Sequence, residues 1–191
     1  MTTVGIFGGS FNPPHLGHTA LASAVVEAGM ADEVWMVLSP LNPLKHNPAE
    51  LAADADRWAM LRLAVEGYEC LKACDVELSM PRPSYTIDTM RRLAELHPDT
   101  RFRLIIGQDN WEIFHSWRDA DELARLYAPI VYRRGADAPP VTGADTLPGA
   151  PLLPVSSTMV RRAVAAGEPV NNMVAPEVYR YIVQHNLYRK L

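Results

Sequence analysis

The sequence predicts an α/β protein: a doubly wound parallel sheet flanked by helices, in a single domain. Three observations predict it. Short apolar runs alternate along the chain with segments of helical periodicity, as strand–helix–strand units do. Glycine and proline punctuate the ends of the runs. The unusual residue clusters fall just after predicted strands, where such sheets bind ligands. The 191 residues, 48% apolar, suit one domain with a sizeable core.

The elements follow in order. Val4-Gly5-Ile6-Phe7 is a buried strand opening onto Gly8-Gly9. From Leu16 to Ala28, small and apolar residues repeat at helical spacing, and Gly29 supplies the stop. Glu33 to Leu38 is a second strand, ended by Ser39-Pro40, and a Pro- and Asn-rich loop runs from Pro40 to Pro48. Asp54 to Glu66 is a helix with Trp58, Leu61 and Val65 on one face. Ala73 to Met80 reads as a strand. Thr86 is the expected N-cap of a helix reaching Leu96, stopped by His97-Pro98. Arg103 to Ile106 is a strand delivering Gly107-Gln108-Asp109 at its carboxyl end, and Pro129 to Tyr132 is another. Gly135 to Pro151 reads as a surface excursion rather than a domain boundary. Leu152 to Val155 is the expected sixth strand, Ser156 starts a helix, and a last helix spans Pro176 to His185.

Composition narrows the function. The net charge of −4 makes the whole molecule no electrostatic trap for nucleic acid. An anionic substrate would need local cations and backbone N–H groups. No apolar run is long enough to cross a bilayer, and Met1 leads directly into the first strand without a secretory leader. The expectation is a cytoplasmic protein with no membrane and no nucleic-acid partner. Cys70 and Cys74 are too few for a zinc site and have no redox spacing; on a strand they would be neighbouring buried thiols.

The strongest motif is Gly8-Gly9-Ser10-Phe11-Asn12-Pro13-Pro14-His15-Leu16-Gly17-His18. Glycines at a strand end let the backbone approach a ligand without a Cβ in the way. His15 and His18 share a face at a helix start, where free N–H groups and the dipole favour anions. Gly17 between them would clear room for a phosphate. Two imidazoles aimed there can donate hydrogen bonds as charge builds on phosphate oxygens. The run is not a P-loop, because it has no lysine, and its glycine spacing is wrong for the dinucleotide fingerprint. A zinc site lacks a third ligand. A second cluster, Val155-Ser156-Ser157-Thr158-Met159-Val160-Arg161, combines hydroxyls and amides at a helix start with an arginine one turn in.

The first run resembles the Gly-Gly-x-Phe-x-Pro-x-His-x-Gly-His signature of the HxGH nucleotidyltransferase superfamily, and the second its Ile-Ser-Ser-Thr-x-Ile-Arg signature, with valines at both Ile positions. The resemblance implies a Rossmann-like sheet and transfer of a nucleotidyl group to a phosphate-bearing acceptor. It implies one nucleotidyltransferase domain over 1–191, with a helical part at about 156–191 completing the ATP site. By the same resemblance His15, His18 and Arg161 are catalytic. Ser156, Ser157 and Thr158 join Arg161 on the ATP phosphates, and Gly8, Gly9, Ser10, Phe11, Gly107 and Asp109 help bind the nucleotide. Asp109 would touch a ribose hydroxyl or a hydrated metal; capping the helix after it is the simpler alternative.

Pro83-Ser84-Tyr85-Thr86-Ile87-Asp88-Thr89, Gly107-Gln108-Asp109 and Trp117 are similar to bacterial nicotinate mononucleotide adenylyltransferases. That similarity implies ATP and nicotinate mononucleotide as substrates, with Mg²⁺ accompanying ATP and no dedicated protein metal site. Trp117 would stack on the pyridine ring, and the backbone around Ser84, Tyr85 and Thr86 would take its carboxylate. Asn42 and Lys45 would meet the mononucleotide phosphate, in a loop that departs from the Pro-Pro-His pattern of many relatives. Arg133 and Arg134 are further cations near the mouth of the site. The rival acceptor is phosphopantetheine, and an enzyme using both nicotinate and nicotinamide mononucleotides is a third reading. A nucleotide-binding regulatory module without catalysis is the alternative of another class. Homo-oligomerisation is left open.

Overall fold

Six parallel strands form one sheet in the order β3-β2-β1-β4-β5-β6, the doubly wound arrangement the sequence predicts. The structure is a computed structural model that describes residues 1–41, 51–133, 141–151 and 153–189. The strands are β1 (Thr2–Gly9), β2 (Glu33–Leu38), β3 (Leu71–Cys74), β4 (Thr100–Gly107), β5 (Ile130–Tyr132) and β6 (Asp145–Thr146). The helices are α1 (Leu16–Glu27), α2 (Asp54–Val65), α3 (Thr86–Leu96), α4 (Gln108–Glu112), α5 (Ala120–Tyr127), α6 (Ser157–Ala166) and α7 (Pro176–Gln184).

Alternation along the strands separates two apolar layers. Phe7, Met36 and Ile105 face α1 and α2, where Leu21, Ala22, Val25, Leu61 and Val65 cover them. Ile6, Val37, Leu104 and Ile106 face the other way, onto Ile87, Met90 and Leu93 of α3 and Leu123 of α5. A third cluster (Met60, Ala64, Val160, Val178, Ile182) packs the outer side of α2 against α6 and α7. That packing carries the C-terminal helices back to the carboxyl ends of the strands. No described helix is long and apolar enough to cross a membrane.

Four expectations change. The segment expected as a strand over Ala73–Met80 is a strand only over Leu71–Cys74; the chain then turns at Asp75 into a 3-10 turn, Val76–Ser79, that takes the Glu77 side chain inward. Cys70 and Cys74 are free thiols packed against opposite layers, because Cys70 lies before the strand; burial pushes the Cys74 thiol up. The sixth strand is Asp145–Thr146, inside the expected excursion, and not the Leu152–Val155 stretch. Leu152 itself lies outside the described residues. Pro151 and Pro154 have no N–H for a ladder, and the Val155 N–H is used locally on the Leu153 carbonyl. Thr86 is the first residue of α3 rather than its N-cap, which is Tyr85. Helix α5 had no counterpart in the expected element order.

Candidate active site

The strand order reverses between β1 and β4, so the loops leaving them diverge to opposite faces and open a crevice at their carboxyl ends. A cleft of about 1120 Å³ fills this place. It is lined by Gly8, Gly9, Ser10, Phe11, His15 and His18 from the β1–α1 turn, and by Gly107 and Asp109 after β4. Ser84, Tyr85, Thr86 and Trp117 line one flank, and Ser156, Ser157, Thr158 and Arg161 the other. The structure therefore gathers every expected site residue that it describes. Asn42, Lys45 and Arg134 lie outside the described residues; Arg133 lines the cleft.

At the centre, His15 is the N-cap of α1, and its extended backbone (φ −137°, ψ 167°) folds its ring over that of His18. The two imidazoles stack, centroids 3.6 Å apart and planes 22° from parallel. The His15 backbone N–H donates to His18 Nδ1 at 3.1 Å. A backbone N–H can only donate, so Nδ1 must keep its lone pair and the His18 proton sits on Nε2. Neutral His18 thus presents a donor to the cleft, in the form a phosphate oxygen requires. Phe11 meets the His18 ring edge-on at 5.0 Å and 80°, fixing its plane.

Three of the motif's expectations sharpen. Phe11 is only 2% exposed and supports His18 from below more than it meets a ligand. It holds a left-handed backbone (φ 43°), and a Cβ at Gly9 would stand 2.9 Å from its ring. Gly9 therefore serves Phe11, whereas Gly8 faces open space. Gly17 does not leave a vacant phosphate pocket: a Cβ there would be 3.1 Å from the His15 ring and from Val155. The missing side chain makes the histidine stack and the docking of the Val155 segment possible. After β4, Gly107 is the N-cap of α4, and the Asp109 carboxylate in the first turn folds back against it, so Asp109 is not the cap.

The second cluster closes over the first. Ser156 caps α6, accepting from the Met159 N–H at 3.2 Å. Ser157 Oγ donates to the Pro13 carbonyl at 2.8 Å, and Arg161 donates to the Asn12 carbonyl at 2.9 Å and to Thr158 Oγ1 at 3.3 Å. Asn12 is a node: its Oδ1 also accepts from the Ala52 N–H at 3.0 Å and from the Tyr188 hydroxyl at 2.9 Å. Burial pushes the Tyr188 hydroxyl well above the ordinary tyrosine range, so it stays a neutral donor. The first free N–H of α1, that of Leu16, is satisfied by the Met173 carbonyl.

Below this lies Arg57 of α2, fully buried. Its guanidinium donates to the carbonyls of Ala52, Ser10, Ser39 and Pro40, and pairs with Asp54, which Arg82 holds from the other side. The loops leaving β1 and β2 are thereby tied to one planar group. On the opposite flank Glu77 is buried, accepting from Ser84 Oγ at 2.6 Å and Thr89 Oγ1 at 2.9 Å. It sets the turn that leads into α3. Trp117 packs on Phe114 at 5.4 Å, and its indole N–H is buried without a partner among the described residues. The Arg118 guanidinium lies 4.9 Å over the Tyr85 ring.

Arg57, Glu77 and Arg118 are residues that the sequence reading missed, and it gave Asn12 and Tyr188 no role. One of them left a signal: Arg57 shares an i, i+3, i+4, i+7 stripe with Met60, Leu61 and Ala64, a charge where the helix needs an apolar side chain. The others act across a turn (Glu77), across about thirty residues (Arg118) or across more than a hundred (Asn12, Tyr188), which spacing does not reveal.

Known proteins fit this geometry. The cytidylyltransferase-like family matches residues 6–163. The probable nicotinate-nucleotide adenylyltransferase of Bacteroides fragilis is 41% identical over 190 residues, covering 96% of this chain and 92% of that protein. That of Salinibacter ruber is 40% identical over 192 residues, covering 98% of each. The Plasmodium falciparum nicotinic acid mononucleotide adenylyltransferase complexed with NaAD superposes with a TM-score of 0.79 at 21% identity, covering 98% of both chains; at that identity it shows the fold. The chain belongs to the cytidylyltransferase-like family and, within it, to the nicotinate-nucleotide adenylyltransferases.

Proposed function

We propose that this chain moves the adenylyl group of ATP to nicotinate mononucleotide, giving nicotinate adenine dinucleotide and pyrophosphate in NAD biosynthesis. The observation that carries the reading is the histidine stack at the α1 N-terminus, lining a cleft together with Arg161, which is held beside it on the Asn12 carbonyl. Membership of a family of nicotinate-nucleotide adenylyltransferases supplies the acceptor.

The chemistry asks for little beyond position and charge. The acceptor's phosphate is already an anion at neutral pH, so one of its oxygens attacks the α-phosphorus of ATP without a general base. The bond from the α-phosphorus to the bridging oxygen breaks, and pyrophosphate leaves with that electron pair. Negative charge crowds the reacting centre, and donors aimed there lower the barrier. His18 Nε2–H and the His15 ring act on the transferring phosphoryl group. Arg161, Ser157, Thr158 and the α6 N-terminus act on the β- and γ-phosphates. Gly8, Gly107 and Asp109 border the nucleoside.

A magnesium ion fits this arrangement as a companion of the substrate phosphates. Among the described residues no group of three or more His, Cys, Asp or Glu side chains could hold a metal, and Asp109 is the cleft carboxylate after β4. Asp109 would hold a hydrated magnesium ion that accompanies ATP, and the ion would supply positive charge against the mutual repulsion of the phosphates. On the opposite flank the ring of the acceptor lies by Trp117 and its carboxylate by Ser84–Thr86.

Incubation of the purified protein with ATP, magnesium and nicotinate mononucleotide, with products identified by mass, tests the reading. Nicotinate adenine dinucleotide and pyrophosphate are expected in equal amounts. ATP binding with no product from any acceptor would leave a regulatory module instead.

A further inference from the structure

We infer that Arg118 is the residue that makes this site prefer an acceptor bearing a carboxylate on its ring over the corresponding carboxamide. The inference rests on the reading above, in which the acceptor ring occupies the Trp117 and Ser84–Thr86 flank. Among the described residues three arginines line the cleft: Arg118, Arg133 and Arg161. Arg161 is committed to the opposite wall through Asn12 and Thr158, and Arg133 follows β5. Arg118 alone of the three adjoins the aromatic platform, one residue beyond Trp117.

Its placement is fixed from two sides. The guanidinium lies 4.9 Å over the Tyr85 ring, and one Nη1 reaches Asp88 Oδ2 at 3.3 Å. Tyr85 is the N-cap of α3, so the cation stands above the helix end whose N–H groups face the same flank. Its side chain is 55% exposed, and a planar fork with five donors keeps several free after a single long contact to Asp88. The backbone N–H groups of the turn can donate equally to a carboxylate oxygen and to a carboxamide oxygen. They orient the group without telling the two apart. A cation does distinguish them, because only the carboxylate carries charge, and a bidentate guanidinium suits its two oxygens. Glu77, buried nearby with both oxygens occupied by Ser84 and Thr89, adds negative charge to this flank.

The experiment compares kcat/KM for nicotinate and nicotinamide mononucleotides in the parent enzyme and in Arg118→Met and Arg118→Lys. Arg118→Met should lower kcat/KM for the nicotinate acceptor about tenfold, change the nicotinamide acceptor less than twofold, and leave the KM for ATP in place. Arg118→Lys should recover part of the discrimination. An equal loss with both acceptors, or no loss with either, overturns the inference and makes Arg118 a structural or solvated residue. If Arg118→Met does not fold, the parent's discrimination read from 0.05 to about 0.5 M salt decides, since a charge-based preference must shrink as salt rises. If the parent turns over neither mononucleotide, the functional reading fails. Calorimetric binding of the two mononucleotides to the parent and to Arg118→Met then tests Arg118, and equal binding of both to the parent ends the inference.

Discussion

The two flanks of the cleft are built differently. The nucleotide flank is a contiguous motif clamped from behind: Asn12, Pro13 and Leu16 are each held by residues from 157 to 188, and the buried Arg57 fastens the loop's start. The acceptor flank stands on a 3-10 turn and the start of α3, with a half-exposed tryptophan and with arginines paired at the surface. Transfer chemistry needs donors fixed in place before charge develops, and the proposed reaction puts that demand on the clamped flank. Acceptor choice needs only a few polar groups on a platform, which short elements can supply.

The largest break would come from the clamp. Arg57→Met strands four backbone carbonyls and should cost about 3–5 kcal/mol of folding stability. Urea unfolding measures it, and a loss under 1 kcal/mol would show that the guanidinium is not the fastening point. Next, His18→Ala should reduce kcat by about two to three orders of magnitude while the far-UV spectrum and unfolding midpoint stay close to the parent's. Unchanged turnover would remove His18 from the reaction.

On the acceptor flank, Glu77→Ala frees Ser84 and Thr89 and should raise the KM for the acceptor about tenfold, with the KM for ATP within about twofold. A matching rise for ATP would mean that the two flanks are not separable. The smallest effect belongs to a cap: Ser156→Ala removes the acceptor for the Met159 N–H and should cost about 1 kcal/mol, read from the unfolding midpoint.

The same contrast explains what the sequence disclosed. The clustering of Gly8, His15 and His18 on one side of the cleft was readable because they follow one another on a strand-to-helix turn and need no distant partner to come together. The sheet was readable from alternation, with β2 falling on Glu33–Leu38 as expected. The apolar-looking Val76–Ser79 stretch misled because an alternating run with a buried Glu77 serves a turn as well as a strand. The Gly17 role misled because what occupies the space beside it, Val155, is more than a hundred residues away. Tyr188 and Asn12 meet across 176 residues, and no local pattern announces such a contact.

The most direct measurement is the rate of pyrophosphate release from ATP with three acceptors in parallel: nicotinate mononucleotide, nicotinamide mononucleotide and phosphopantetheine. The account predicts the highest kcat/KM with nicotinate mononucleotide and none above background with phosphopantetheine. Turnover with phosphopantetheine alone would contradict it.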